Sequence, residues 1–362
     1  MFTHTSLMNL AVTEIIQMIK YEIKKMMSLP HILLILLAFI IQFILCFYPQ
    51  NVSHTYSKTV YKDYTEKLSG EYTADKRAYI EKEYERMQDV IEKYEETSEN
   101  YKKEIITLEE YEKYNDSYNE AMAKISTVEY LIEKCNYFDK IGNKCYFFYD
   151  TDWDDFLSES GIDYISAILI ILMITTVFSD EYSSKSRNII LTTYKGKTHT
   201  AISKLCLSFA FAFIISACMG AVRYLVFIFH NGESGNMGIR NLIDYGGFSE
   251  LSITKYYVAE ILLHSIIWSV CALFICLISN LTKNGIFTVF ISFVAIVCVA
   301  LLNTDSLRIF DFIFSGKLLS DNLNKIFGSG SLKYYIIFPC TMLIKTFAYA
   351  SLCVVTWKRK NR

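Results

Sequence analysis

The stretch "VFSDEYSSKSRNIILTTYKGKTHTAISKL" (Val177–Leu205) decides how the rest of the chain is read. Its middle is polar and basic, and both ends run into long apolar blocks, Leu157–Phe178 before it and Leu205–Phe229 after it. Gly196-Lys197-Thr198 copies the last three residues of a phosphate-cradling loop. Such a loop needs G-x-x-x-x-G-K-[ST] between a strand and a helix. Leu191 stands where the first glycine is required, and an apolar run takes the place of the strand. The stretch therefore reads as a connector between two spans and not as a nucleotide site.

Working outward, the 362 residues are 52% hydrophobic, with a positive mean hydropathy. The apolar residues gather in blocks close to the roughly 20 residues that a helix needs to cross a bilayer. Six are expected: about Pro30–Tyr48, Leu157–Phe178, Leu205–Phe229, Tyr256–Ser279, Gly285–Leu302 and Tyr334–Trp357. The first follows a long polar leader and ends in "CFYPQNV", which has no small-x-small cleavage pattern, so it reads as a retained span. The expected fold is all-α: a polytopic membrane protein of six transmembrane helices. Residues 1–29 form an amphipathic interfacial helix, 30–48 the first span, 49–156 an outer domain, and 157–362 the remaining five spans.

Lysine and arginine set the orientation. With both termini inside, the short inner segments (1–29, 179–204, 280–284 and 358–362) hold 13 basic residues, against six in the outer loops 230–255 and 303–333. Abundant Lys, Ile, Tyr and Asn with only three prolines suits a bacterial cytoplasmic membrane. From 49 to 160 there are 15 basic and 26 acidic residues, a net of −11, which leaves +9 on the rest. An acidic domain outside and a basic surface facing anionic lipid fit that asymmetry.

The outer segment is rich in tyrosine and charge. Thr73–Glu96 places Tyr79, Ile80, Tyr84, Met87, Ile91 and Tyr94 at helical spacing. Tyr101–Cys135 repeats the pattern with Ile105, Leu108, Tyr111, Tyr118, Met122, Ile125, Val128 and Leu131. With "TSEN" (Thr97–Asn100) as the joint, the expectation is a coiled-coil-like antiparallel hairpin. It serves as a spacer, or as a gate or partner platform. Of ten cysteines, eight lie in or beside spans and read as small buried hydrophobes. Cys135 and Cys145 fall outside, where a disulfide is expected to be open to them. No Cys-x-x-Cys or His-x-x-x-His spacing supports a metal site.

At this point the chain resembles a family. "FSDEYSSKSRNIILTTYKGKTHTAISKL" is similar to the loop between the second and third spans of ABC type-2 permeases, the type V exporters. Phe178, Glu181, Ile190, Leu191, Thr192 and Lys204-Leu205 match that pattern, while Ser184-Lys185-Ser186 replaces its glycine and "TYKGKTH" its Pro-containing step. "LAVTEIIQMIKYEIKKMMSLPHILL" resembles the family's interfacial helix, with Ile15, Ile16, Ile19, Ile23 and Met26 on one face. The segment from Asp305 to Phe327, within 305–330, resembles its outer re-entrant helices. The resemblance implies an exporter permease for an amphipathic cargo (a peptide, a lipid-like molecule or a drug). It pairs with a second permease, identical or homologous, and with two copies of a separate ABC ATPase subunit that hold ATP and Mg. Loop 179–204 then carries ATPase motion to the spans, and this chain has no ATPase site or cofactor of its own. The rival expectation is a non-transporting receptor or scaffold whose outer hairpin binds a partner. Nothing points to nucleic acid.

Ionisable residues inside spans are costly, so each is a candidate for function. Arg223, Glu260 and His264 fall in one half of the membrane, the last two four residues apart on one helical face that Trp268 continues. Lys345 lies near the midplane of the last span, with no partner in its own helix sequence. These four are candidate transport-path residues; the alternative is ion pairing or, for Arg223 and Glu260, reach to the headgroups, and for His264 a satisfied buried imidazole.

Overall fold

A computed structural model describes residues 19–47, 52–142, 144–158, 163–193, 197–231, 235–243, 245, 248, 250–298, 319, 323–327 and 332–359. In chain order the helices are α1 (Leu29–Cys46), α2 (Lys58–Lys67), α3 (Ala74–Glu92), α4 (Tyr94–Lys102), α5 (Leu108–Ile141), α6 (Thr151–Ser158), α7 (Tyr164–Ser183), α8 (Ser186–Thr192), α9 (His199–Asn231), α10 (Ile253–Thr282), α11 (Gly285–Phe293), α12 (Leu323–Phe327) and α13 (Leu332–Lys358). A helical run over 19–26 precedes them. Among the described residues two short strands, β1 (Gly70–Glu71) and β2 (Tyr146–Phe147), accompany the helices. The chain divides into two compact units, residues 1–49, 159–234 and 254–362, and residues 50–158 with 235–253.

Among the described residues of the first unit five helices are long and apolar enough to cross a bilayer: Leu29–Cys46, Tyr164–Ser183, His199–Asn231, Ile253–Thr282 and Ile336–Lys358. This is the make-up of a multi-pass membrane protein. The block at Gly285–Leu302 forms a shorter apolar helix, Gly285–Val297. Within it the backbone passes from α11 into a π segment at Val294–Cys298, beyond which the chain lies outside the described residues. Most of the re-entrant segment expected at 305–330 lies there as well.

The second block starts later than its apolar residues suggest. Leu157 belongs to α6, and α7 begins at the cap Asp163, whose Oδ1 accepts from the amides of Ile165 and Ser166, each at 3.1 Å. A capping carboxylate satisfies amides that have no partner inside the helix and suits the helix dipole. Helices α7 and α10 are the most buried of the five, whereas α1 and α13 leave most of their apolar surface exposed. Gly220 of α9 sits where a Cβ would come within 2.8 Å of Ile261 on α10. Small residues permit that close approach between apolar helices. Lys185 and Lys283, just past the ends of α7 and α10, adopt left-handed φ values of 57° and 58°. Such residues close helix C-termini, and a cation there complements the dipole.

In the second unit α3 packs along α5. The pairs Tyr101–Tyr111 and Tyr94–Tyr118, stacked at 4.5 and 3.8 Å between α4 and α5, run in opposite directions along the two helices, so the hairpin is antiparallel. Its turn is not Thr97–Asn100, which is helical within α4. Helix ends need orphan groups satisfied, and the turn falls where the caps are: Lys103–Thr107, with Glu104 left-handed. There Thr107 and Glu110 form a reciprocal capping box that starts α5. Ile80, Met87, Val128 and Leu131 form the seam as expected, whereas Ile105, Leu108 and Met122 are exposed. The core instead takes in Ala121, Cys135, Phe138, Cys145 and Phe147, with Tyr56, Tyr61 and Tyr64 from α2 and the residues before it. Cys135 and Cys145 are buried there as free thiols. At its centre the fully buried Lys134 ammonium donates to Asp150 and, at 2.8 Å, to the Tyr61 hydroxyl, which itself donates to Asp150 at 2.7 Å. The loop 235–253 joins this unit: the Tyr146 amide donates to Asn241 Oδ1 at 2.8 Å.

Candidate functional site

Two polar clusters stand at opposite ends of the same helices. Helix α7 carries Asp163 at one end and Glu181 at the other, about 27 Å apart at 1.5 Å per residue. Helix α9 carries Lys204 near its start and Arg223 farther along.

At the first end, Lys204 is 1% exposed and sits between two carboxylates that are each 4% exposed. Its Nζ lies 2.7 Å from Glu181 Oε1 and 3.0 Å from Glu22 Oε2. It also donates to the carbonyl of Val177 at 2.8 Å and lies 5.6 Å from the centroid of the Phe178 ring. Burying an ammonium among apolar helices is tolerable only with such a full set of partners. The helical run 19–26 is thereby tied to α7 and α9 through one lysine. This changes the reading of the interfacial helix. Glu22 and Met26 are its buried positions, and Ile23, expected on the apolar face with Met26, is 44% exposed. Ile15 and Ile16 lie outside the described residues. On the same run Lys25 faces Asp180 at 3.8 Å. Burial, with the charge of Lys204, pushes the Lys25 ammonium down, and Glu181, Asp180 and Glu22 oppose that shift.

Beside this cluster the short helix α8 is held through Arg187. Its Nη2 donates to the carbonyls of Trp357 at 2.8 Å and Arg359 at 2.7 Å, at the C-terminal end of α13. Its guanidinium lies over the rings of Tyr182 and Trp357, 5.0 and 5.3 Å from their centroids. The planar cation thus serves both as a cap for orphan carbonyls and as a stacking partner. Phe178 packs edge-on against Trp357 at 5.4 Å. Asn280 of α10 extends the network, accepting from Tyr182 Oη at 2.6 Å and donating to Cys353 O at 2.9 Å and Thr356 Oγ1 at 2.7 Å. Ile189 of α8 is left 72% exposed.

Sequence reasoning singled out Phe178, Glu181 and Lys204, and the structure brings those three together. Ile190, Leu191 and Thr192 are not part of the cluster. They lie on α8, the first two half-buried and Thr192 exposed, with its hydroxyl donating to Ile189 O at 2.6 Å. Gly196 lies outside the described residues. Glu22, Arg187, Asn280 and Trp357 were missed. Glu22 carried only a weak signal, as one of two carboxylates, with Glu14, in the leader. The 170-residue separation of Arg187 and Trp357 gave none.

At the other end, Arg223, Glu260 and His264 line one cavity of about 60 Å³, with Gln42, Asp163 and Tyr257 among its other walls. Asp163 faces it while holding the amides that start α7. Glu260 is 4% exposed, and its Oε2 has no hydrogen-bond partner. Lys345 is buried on α13 but is not part of this lining. Cys271, Cys276 and Cys353 are buried as expected, whereas Cys206, Cys218 and Cys340 are exposed on their helices. Among the described residues no group of His, Cys, Asp and Glu is arranged to hold a metal ion. No known family, curated protein or solved structure matches the chain.

Proposed function

We propose that the chain is the permease subunit of an ABC exporter, driven by separate ATPase subunits and moving an amphipathic cargo across a bacterial cytoplasmic membrane. One observation carries this reading: Phe178, Glu181 and Lys204, three of the residues on which the loop resembles the family, converge with Glu22 on one buried charge cluster. A loop that only joined two spans would have no need of it. The cluster ties the run 19–26 to the ends of α7 and α9, and Arg187 ties α8 to the end of α13. A push on the exposed side of α8 would therefore reach several membrane-length helices as one body. The distribution of basic residues supports having this end inside, where an ATPase would dock, with residues 49–156 outside and both termini inside. A second copy of the chain, or a related permease, would complete the transporter, with ATP and Mg held by the ATPase pair.

The test is ATP turnover in the reconstituted complex. The tagged chain is purified in mild detergent, its co-purifying ATPase is identified, and turnover is measured for wild type and E181Q. The proposal expects an ATPase in roughly equal amount and at least a several-fold loss of cargo-dependent turnover in E181Q. No ATPase, together with capture of an outer partner by the tyrosine-rich unit, would favour the receptor or scaffold reading instead.

A further inference from the structure

The cavity at the far end of α7 and α9 has a composition that ordinary packing does not account for. Among the described residues its walls carry two carboxylates, Asp163 and Glu260, and one guanidinium, Arg223. Asp163 is already engaged, accepting from the amides of Ile165 and Ser166 and from the Ser166 hydroxyl. Glu260 is not: it is 96% removed from solvent, and no donor, Arg223 included, reaches its Oε2. A carboxylate oxygen left bare among apolar helices is costly unless a donor or a cation meets it. The space of about 60 Å³ is polar and holds about two waters at their liquid volume, or a head group of a few heavy atoms. Two aromatic side chains, Tyr257 and Trp268, form part of the wall, and aromatic faces attract organic cations.

We propose that this cavity binds a small organic ammonium ion, its charge met by Glu260 and its body packed against Tyr257 and Trp268. The ammonium is either that of a free amine or cargo, or the head of an ethanolamine lipid. A bare metal cation is a poor fit, because the lining offers it one free carboxylate oxygen and a nearby guanidinium, whereas an ammonium carries its own donors and tolerates aromatic walls.

The experiment uses the full chain in nanodiscs of phosphatidylcholine and phosphatidylglycerol, with radiolabelled methylammonium as the probe at constant ionic strength. The proposal expects saturable binding of one ion per chain, at least about tenfold weaker in E260Q. Sodium at equal concentration and tetraethylammonium, too large for the space, leave it unchanged. Absence of saturable binding, equal affinity in E260Q, or competition by sodium as strong as by unlabelled methylammonium would overturn it. Should E260Q fail to fold, the wild-type size and charge series decides alone. Adding phosphatidylethanolamine separates the two sources, since competition by that lipid assigns the site to a headgroup and no competition assigns it to a free amine or cargo. Binding needs no ATPase in the membrane, so this proposal and the coupling proposal fail on different measurements.

Discussion

At the scale of single residues, Lys204 is the keystone of the proposed coupling end. Removing the cation would strand two buried carboxylates, and breaking a buried pair from one side costs on the order of 3–5 kcal/mol. K204M should therefore unfold at markedly lower temperature in detergent, and E22Q/E181Q/K204M, which removes all three charges, should regain most of the loss. A triple variant no better than K204M would mean that the lysine acts through its other contacts, to Val177 O and the Phe178 ring. A second residue makes a pH prediction. Burial, with the charges of Asp150 and Asp155, pushes the Asp154 carboxyl up to about 6 from its ordinary 3.8. A carboxyl raised in the fold keeps its proton longer than in the unfolded chain. Its contribution is therefore full below about pH 4, is lost as pH rises to about 6, and stays lost above that. The gap of about two units corresponds to up to roughly 3 kcal/mol. D154N should remove this slope between pH 4 and 6 and stabilise the tyrosine-rich unit at neutral pH, followed by hydrogen exchange in α6. An unchanged pH profile in D154N would show that Asp154 is ionised throughout.

At the scale of elements, the tyrosine-rich hairpin turns where its caps lie. Glu104 holds φ at +58° in the turn, and Gly142 holds +66° at the end of α5. A side chain in that region costs roughly 1–2 kcal/mol, and glycine escapes the cost. E104G should stabilise the unit by about 0.5–1 kcal/mol, and G142A should destabilise it by about 1 kcal/mol. Backbone strain alone acts in the second case, because a Cβ on Gly142 meets nothing within 4 Å. Opposite signs in a denaturant titration check the pair. The hairpin itself was legible in the sequence, since tyrosines and aliphatics recur there at helical spacing. Its turn was not, because "TSEN" is polar but fully compatible with helix, and only the capping box downstream marks the stop. Ile105 and Leu108 misled for the same reason, being apolar residues beside a turn that exposes them.

At the scale of the whole molecule, the apolar blocks were legible because a bilayer demands about 20 residues of one character, and five of them form helices of that length. The fifth block was ambiguous because its described helix stops short. The way residues 235–253 join the tyrosine-rich unit was invisible, because the hydrogen bond from the Tyr146 amide to Asn241 links positions 95 residues apart. The charge cluster was half legible: the loop offered Phe178, Glu181 and Lys204, but Glu22 is 182 residues away from its lysine. The proposed sidedness can be checked with a membrane-impermeant maleimide on intact cells. Cysteine at the exposed position Glu109 should label without permeabilisation, and cysteine at the exposed position Asn188 only after it. The reverse pattern would invert the topology.

The central claim is that α8 receives motion from a separate ATPase, and cross-linking from its most exposed residue tests it most directly. A photoreactive amino acid replacing Ile189, activated in intact cells, should yield an adduct with a nucleotide-binding ATPase whose amount changes with ATP. An adduct with lipid alone, or with no ATPase under any nucleotide condition, would contradict the account.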